Sequence, residues 1–446
     1  MARLFGTDGV RGVANRELTG ELAYRLGRAS VVALAERGTA RPSILVGRDT
    51  RASGEFLEAA LAAGICSAGG DAVLLGVCTT PAVAFLTSPV GAHAGVVISA
   101  SHNPAEYNGI KLFGASGYKL PDEIEDQIQS IVEGDDGPRP EGSAIGRIRP
   151  DPRAHERYLD HLVSTAGTTL EGMRLVVDCA NGAATSAAPE VLRRLGATVL
   201  PIHDRPDGLN INRGSGATNP RTVAAAVLES GADAGVAFDG DADRALFADA
   251  RGEILDGDQT LAACALDLHE RRELANGLLV TTVMANLGLR RAMGEAGIKV
   301  LETKVGDRYV LEEMLRSGAV LGGEQSGHVI FLRHATTGDG LLTAVQLLSL
   351  ASRKGVSLAE LGACMQRFPQ VLESVSVPEP ARLDGSAGVS DAIRAAEEAL
   401  GAEGRVLVRA SGTEPVVRVM VEAATEEEAC RHAGRIAVAV RAALGA

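Results

Sequence analysis

The chain has 446 residues, 46% hydrophobic and 23% charged, which suits an ordinary globular protein of about three domains with room for large cores. Its net charge, 44 − 57 = −13, has the wrong sign for a general nucleic-acid binder, and 3% aromatic residues with no Trp leave little for base stacking. Six cysteines lie far apart with no Cys-x-x-Cys pair, MARLFGTDGVRG has no apolar leader, and no apolar run approaches about 18 residues; zinc, a disulfide framework, secretion and a membrane span are all disfavoured, and a cytoplasmic protein is expected.

Phe5–Gly12, FGTDGVRG, is a glycine-rich turn that carries Arg11. Leu22, Leu26, Ala29, Val32 and Ala33 share one face and predict a helix over Glu21–Arg37. Ile44-Leu45-Val46 then predicts a strand, GRDTRASG a polar turn, EFLEAALAAGICSAG a helix, and Ala72–Leu75 a second strand. Gly95-Val96-Val97-Ile98 predicts a buried strand that stops at Ser99-Ala100-Ser101-His102-Asn103-Pro104, because Asn-Pro marks a turn and the residue before proline is pushed away from helix. Ser101 is therefore expected on a sharp loop at a strand end, where open α/β sheets bind ligands. Such a serine is either a nucleophile or one of several side chains satisfying a turn. No Gly-x-Ser-x-Gly elbow occurs to support a hydrolase. His102 is a poor base for Ser101, since neighbours in an extended segment point to opposite sides.

The same grammar returns at Leu175-Val176-Val177, with turn DCANGAATS, helix APEVLRRLG and strand ATVLPI. It returns again at Leu278–Thr282, with turn VMANLG, helix LRRAMGEAG and strand IKVLET. Strand, turn, helix and second strand imply parallel pairing, and three copies suggest three related α/β domains. No Rossmann fingerprint is present, since Asn219 stands where the third glycine after Gly214-Ser215-Gly216 should be, and no Walker A sequence occurs. Gly134–Arg153 and Pro378–Ser386 read as connections, the latter composed like a hinge. Val406–Ser411, Val416–Glu422 and an amphipathic helix over Thr425–Leu444 predict a small α+β domain at the end. The expected domains are 1–153, 154–251, 252–369 and 370–446.

Asp239-Gly240-Asp241-Ala242-Asp243-Arg244 follows the strand-like Gly235–Phe238. Three carboxylates at alternate positions converge on one hard cation if the backbone curls, and close anions repel unless a cation relieves them. An EF-hand reading fails, because Arg244 stands where glycine is wanted and Ala250 where glutamate is wanted. Mg²⁺, with few protein oxygens and a phosphate completing its shell, is the natural choice; the competing reading is a solvated acidic turn. GGEQSGH over Gly322–His328 offers Glu324 and Ser326 to sugar hydroxyls and His328 to a proton, although a lone histidine is more often structural. RASGTEP over Arg409–Pro415, with Arg418 beyond it, suits a phosphate as well as it suits a polar hairpin.

Together, ISASHNP, DGDADR, GEQSGH and RASGTEP occur in the order found in the α-D-phosphohexomutases, and the chain resembles that family over its whole length without departure at the matched loops. The resemblance implies four domains around a central cleft, three with a mixed α/β core and a separate α+β fourth. It implies a phosphoserine at Ser101 and Mg²⁺ held by that phosphate with Asp239, Asp241 and Asp243. Arg11, Lys111 and His328 are then acid/base or charge-stabilising residues, with His102 and Arg244 also in the active site. Glu324 and Ser326 would contact the sugar; Arg409, Ser411, Gly412, Thr413 and Arg418 would hold the substrate's phosphate, on a mobile fourth domain. FGTDGVRG and Gln325 resemble the branch acting on amino sugars; glucose- and mannose-phosphate relatives more often carry Met or Glu at that position. The implied reaction interconverts glucosamine-6-phosphate and glucosamine-1-phosphate through a sugar bisphosphate, a step toward UDP-N-acetylglucosamine and the cell wall. Rivals are the same chemistry on glucose or mannose phosphate, a phosphosugar-binding protein without turnover, and a phosphatase. Oligomeric state is left open, a homodimer included.

Overall fold

The computed structural model describes residues 3–445 except 7, 40, 135, 136, 138, 380–382, 384 and 412–414. It divides into two compact units, Met1–Val283 with Ile298–Ala363, and Met284–Gly297 with Cys364–Ala446.

The first unit contains three sheets. The first is built from β1 (Val10–Val13), β2 (Ser43–Arg48), β3 (Asp71–Val77), β4 (Ala94–Ile98), β5 (Tyr107–Gly114) and β6 (Ile148–Pro150), in the order β1-β5-β4-β2-β3-β6. Its helix Gly20–Glu36 begins where Thr19 accepts the Leu22 N–H at 3.2 Å, and it buries Ala23, Leu26, Ala29 and Val32. That helix lies close against the helix Ser53–Ser67: a Cβ on Gly64 would stand 2.0 Å from Tyr24 O, and one on Gly27 2.3 Å from Leu61 O. Part of the expected Gly134–Arg153 connection forms a strand. Its Ile148–Pro150 segment pairs in parallel with β3, and Pro150 is tolerated because β6 is an edge strand.

The second sheet comprises β7 (Arg174–Asp178), β8 (Thr198–Ile202), β9 (Ala234–Phe238), β10 (Ala245–Asp249) and β11 (Ile254–Leu255), in the order β11-β10-β9-β7-β8. The third comprises β12 (Leu278–Thr282), β13 (Lys299–Thr303), β14 (Leu321–Gly323) and β15 (Val329–Phe331), in the order β13-β12-β14-β15. The expected parallel pairs are present as β2–β3, β7–β8 and β12–β13. Each sheet then departs from the parallel rule in the same way: β5, β10 and β15 return antiparallel to β4, β9 and β14. Residues 99–106, 239–244 and 324–328 are too few for a crossover of a dozen or more residues, so the chain turns straight back. Those three hairpin loops are the ISASHNP, DGDADR and GEQSGH segments, so three motifs read separately occupy one equivalent position in three sheets.

The second unit contains β16 (Gln370–Ser376), β17 (Arg405–Ala410) and β18 (Val416–Glu422), all antiparallel in the order β16-β18-β17. Helices Ala387–Leu400 and Glu426–Leu444 bury Val389, Ala396, Ile436 and Val440 against Val417, Val419 and Val421. Thr425 caps the second of them, accepting Glu428 N–H at 3.3 Å. The Pro378–Ser386 segment is not an inter-domain connection, because β16 precedes it and pairs with β18 beyond it. The alternation of QVLESVS carries that strand, and its register with β18 fixes it in the unit. Among the described residues no helix is long and apolar enough to cross a membrane, and none of the cysteines is in a disulfide.

Candidate active site

Ser101 has φ 49°, in the left-handed region that an L-residue rarely adopts. The inverted turn buries the side chain (2% exposed) and directs Oγ to donate to Asp239 Oδ2 at 2.6 Å. Asp239 follows β9, and Ala242, at φ 59°, curls the DGDAD backbone so that carboxylate oxygens of Asp239, Asp241 and Asp243 lie within 4.8 Å of one another, all buried. Thr80 Oγ1 and Lys111 Nζ donate to Asp241 Oδ2 at 2.6 and 2.9 Å, while Asp241 Oδ1 and Asp243 Oδ1 have no hydrogen-bond partner. Burial, with the charges of Asp243 and Asp241, raises the Asp239 carboxyl well above the usual carboxylate range. Against its own burial, Asp243 is held well below that range by His328, Lys111 and Arg244. Orphaned carboxylate oxygens facing mutual repulsion are the chemistry of a hard-cation site, so these residues fit Mg²⁺.

The loops border a cavity of about 500 Å³. Of the residues expected from sequence, Arg11, Ser101, His102, Asp243, Arg244, Glu324 and His328 line it. Ser326 does not line it, although its Oγ is buried without a hydrogen-bond partner. Lys111 lies on β5, 2% exposed, 2.9 Å from both Asp8 Oδ2 and Asp241 Oδ2. Burial pulls its pKa down, but Asp241, Asp8 and Asp243 outweigh this and raise it, so it stays charged. Arg11 pairs with Asp8, and its buried Nε keeps no hydrogen-bond partner. Arg244 Nε is likewise without a hydrogen bond, 3.8 Å from Asp243 Oδ1. Unspent guanidinium donors beside a cavity suit a phosphate. Burial and the nearby Arg244 and Arg11 charges lower the His102 pKa. In His328, burial is outweighed by Asp243 and Asp307, which raise the ring's pKa. Gly338 N–H donates to His328 Nε2 at 3.1 Å, so the neutral ring carries its proton on Nδ1, which faces Asp243 Oδ2 at 3.7 Å. Glu324 Oε1 accepts the Gly306 N–H at 3.1 Å.

Sequence reasoning missed Asp8, Lys119 and Asp307. Lys119 Nζ bridges Asp8 Oδ1 at 2.7 Å and Asp307 Oδ2 at 2.5 Å, tying the FGTDGVRG turn to the residue that opens the helix Asp307–Ser317. Lys111, Lys119 and Arg11 hold Asp8 well below the usual carboxylate range, and Lys119 and His328 lower Asp307 too, in both cases against burial. Asp8 could have been found beside Arg11 in its turn; Asp307 and Lys119 lie 188 residues apart and have no common local signal. A second cavity of about 450 Å³ holds none of the motif loops, and its Arg353 and Arg271 are already paired with Asp267.

Arg409, Ser411 and Arg418 belong to the second unit. Arg409 and Arg418 are direct cross-strand partners on β17 and β18, and burial, then the Arg418 charge, lowers the Arg409 pKa. Gly412 and Thr413 lie outside the described residues.

Four profiles described as phosphoglucomutase/phosphomannomutase alpha/beta/alpha domains I, II and III and C-terminal domain match residues 2–138, 156–252, 256–368 and 372–439. A phosphoglucosamine mutase from Symbiobacterium thermophilum is 56% identical, covering 100% of both chains. One from Thermobifida fusca is 55% identical over 99% of this chain and 98% of its own. A crystal structure of a phosphoglucomutase/phosphomannomutase family protein from Burkholderia thailandensis superposes with a TM-score of 0.83 at 27% identity, covering 99% of this chain and 97% of that one.

Proposed function

The chain belongs to the phosphoglucomutase/phosphomannomutase family, and on that premise we propose that it interconverts glucosamine-6-phosphate and glucosamine-1-phosphate. The observation that carries the reading is Ser101 Oγ, 2.6 Å from Asp239 Oδ2, inside a carboxylate cluster with partnerless buried oxygens. Ser101 carries a phosphoryl group and passes it to one end of the sugar monophosphate. The sugar oxygen–phosphorus bond forms as the Oγ–phosphorus bond breaks; the sugar hydroxyl gives up its proton and Oγ takes one up, so serine leaves as its hydroxyl. The bisphosphate turns end for end and returns its other phosphoryl group to Ser101.

Asp239, Asp241 and Asp243, together with the serine phosphate, would hold Mg²⁺, which supplies positive charge to the transferring phosphoryl oxygens. Lys111, kept charged, and Arg11 and Arg244, with their unspent Nε donors, stabilise the same oxygens. His328, oriented by the Gly338 N–H and facing Asp243, serves the same site as an acid/base or charge-stabilising group; His102 borders the same space. Glu324 and Ser326 receive the sugar, and Arg409, Ser411, Gly412, Thr413 and Arg418 bind the resting phosphate. Two supports favour the amino sugar. The relatives at 54–56% identity are named phosphoglucosamine mutase, and Glu324 and Asp307 border the cavity as carboxylates able to receive a protonated 2-amino group. The deciding assay compares kcat/KM for glucosamine-6-phosphate, glucose-6-phosphate and mannose-6-phosphate under the same Mg²⁺ and bisphosphate activator. Glucosamine-6-phosphate should be turned over best; equal or better turnover of either hexose phosphate sinks the assignment.

A further inference from the structure

The loop that presents Ser101 is held by a side chain from another strand end. Arg51 lies just beyond β2 and is fully buried. A guanidinium has five N–H donors, and here all five are used. Nε donates to Asp49 Oδ2 at 2.9 Å. Nη1 donates to Tyr107 O at 3.0 Å and to Pro104 O. Nη2 donates to Ser101 O at 2.9 Å and Asn103 O at 2.8 Å. Four of the five acceptors are therefore backbone carbonyls, three in the loop that joins β4 to β5 and one on Tyr107, the first residue of β5.

The Ser101 peptide is held on its other side as well. Asp49 Oδ2 accepts Ser99 Oγ at 2.6 Å, and Ser99 Oγ in turn accepts the Ser101 N–H at 3.0 Å. A second donor reaches the same carbonyls from the second sheet's part of the chain: Asn212 Nδ2 donates to Ser101 O at 2.8 Å and Asn103 O at 3.2 Å. Asn212 is itself set by a left-handed turn (φ 58°) and by its N–H to Ala180 O at 2.9 Å. Gly240 leaves room for this arrangement, since a Cβ there would stand 2.5 Å from Ser101 O and 2.8 Å from Asn212 Nδ2.

We propose that Arg51 and Asn212 form a carbonyl clamp that holds the left-handed turn at Ser101, making both of them positioning residues for phosphoryl transfer. The proposal rests on the reading of Ser101 as the phosphate carrier. Burying a guanidinium is costly unless every donor is satisfied, and apolar side chains of similar volume fill a core at least as well. A buried arginine spent on four carbonyls between Ser101 and Tyr107 is therefore explained by geometry better than by packing. The left-handed turn sends the Ser101 carbonyl inward to Arg51 and Asn212 while Oγ faces Asp239. The clamp touches neither Oγ nor the substrate, so it keeps the same partners whether the serine is free or phosphorylated. Lysine cannot substitute, because its three donors leave one point and cannot reach four carbonyls.

The test uses the full chain with Asn212→Ala and Arg51→Lys, measuring thermal unfolding, kcat and KM for the sugar phosphate, and the ³¹P resonance of the phosphoserine. Asn212→Ala should fold with a near-parental melting temperature, keep KM within about twofold and lose about 10-fold in kcat, because the reacting oxygen is misplaced while the sugar still binds. Its phosphoserine resonance should shift or broaden. Arg51→Lys should lose about 100-fold in kcat with KM little changed; if it fails to fold, Asn212→Ala alone decides. A phosphorylated parent with an Asn212→Ala variant of parental kcat and resonance overturns the clamp and leaves the phosphoserine reading standing. A parent that carries no phosphate on Ser101 after incubation with sugar bisphosphate, by intact mass and ³¹P spectra, overturns that reading and the clamp with it.

Discussion

The Ser101 region and the Arg409–Arg418 pair, to which the proposed function gives the two phosphates, carry charge of opposite sign. Around Ser101 three buried carboxylates crowd together, relieved in part by Lys111, Arg244 and His328, and two carboxylate oxygens remain without hydrogen bonds. On β17 and β18 two arginines face each other directly, an arrangement that like charges disfavour. The first is a buried anionic cluster and the second a cross-strand cationic pair, which the proposed function reads as the places of Mg²⁺ and of a substrate phosphate.

The comparison breaks most sharply at Ser101. Ser101→Ala should fold yet lose mutase turnover by on the order of 10³-fold or more, because no neighbouring group replaces the nucleophile. A coupled assay that finds near-parental turnover would remove the anionic region from the chemistry. Next comes the metal. Asp241→Asn should weaken Mg²⁺ binding, read by calorimetry, and lower turnover by on the order of 10²-fold, and thorough chelation should silence the parent. Activity that survives chelation would show that Lys111 and the arginines suffice.

The cationic pair should respond in binding first. Arg409→Ala is expected to raise KM for the sugar phosphate by about 10-fold and to lower kcat less, with Arg409→Lys recovering only part because a point charge lacks the fork geometry. Unchanged kinetics in both variants would place the phosphate elsewhere.

The smallest effect is on stability. Asp339 caps the helix Gly340–Lys354, accepts Tyr158 O–H at 2.9 Å, and is pushed up to about 6, mainly by burial. An unfolded aspartate titrates near 4, so between about pH 4 and pH 6 the unfolded chain sheds its proton first and stability falls as pH rises, by at most about 3 kcal/mol. Asp339→Asn should flatten that decline in melting temperature measured against pH while keeping the cap. A decline as steep as the parent's would show that the load lies on other carboxylates.

Local chemistry made much of this molecule legible in its sequence. Asn103-Pro104 ends β4, alternating aspartates follow β9, and Thr425 marks a helix start, because turns, caps and strand ends depend on neighbouring residues. The four motif loops could be named for the same reason. Tertiary structure decided what depends on distance through space. The antiparallel return of β5, β10 and β15 put three of those loops in equivalent positions. Folding brought Lys119 to Asp307 across 188 residues and spent Arg51 on four carbonyls between Ser101 and Tyr107. Protonation was decided there too: Coulomb energy follows separation and burial, not sequence spacing, so Asp239 and Asp243, four positions apart and alike in sequence, are pushed in opposite directions.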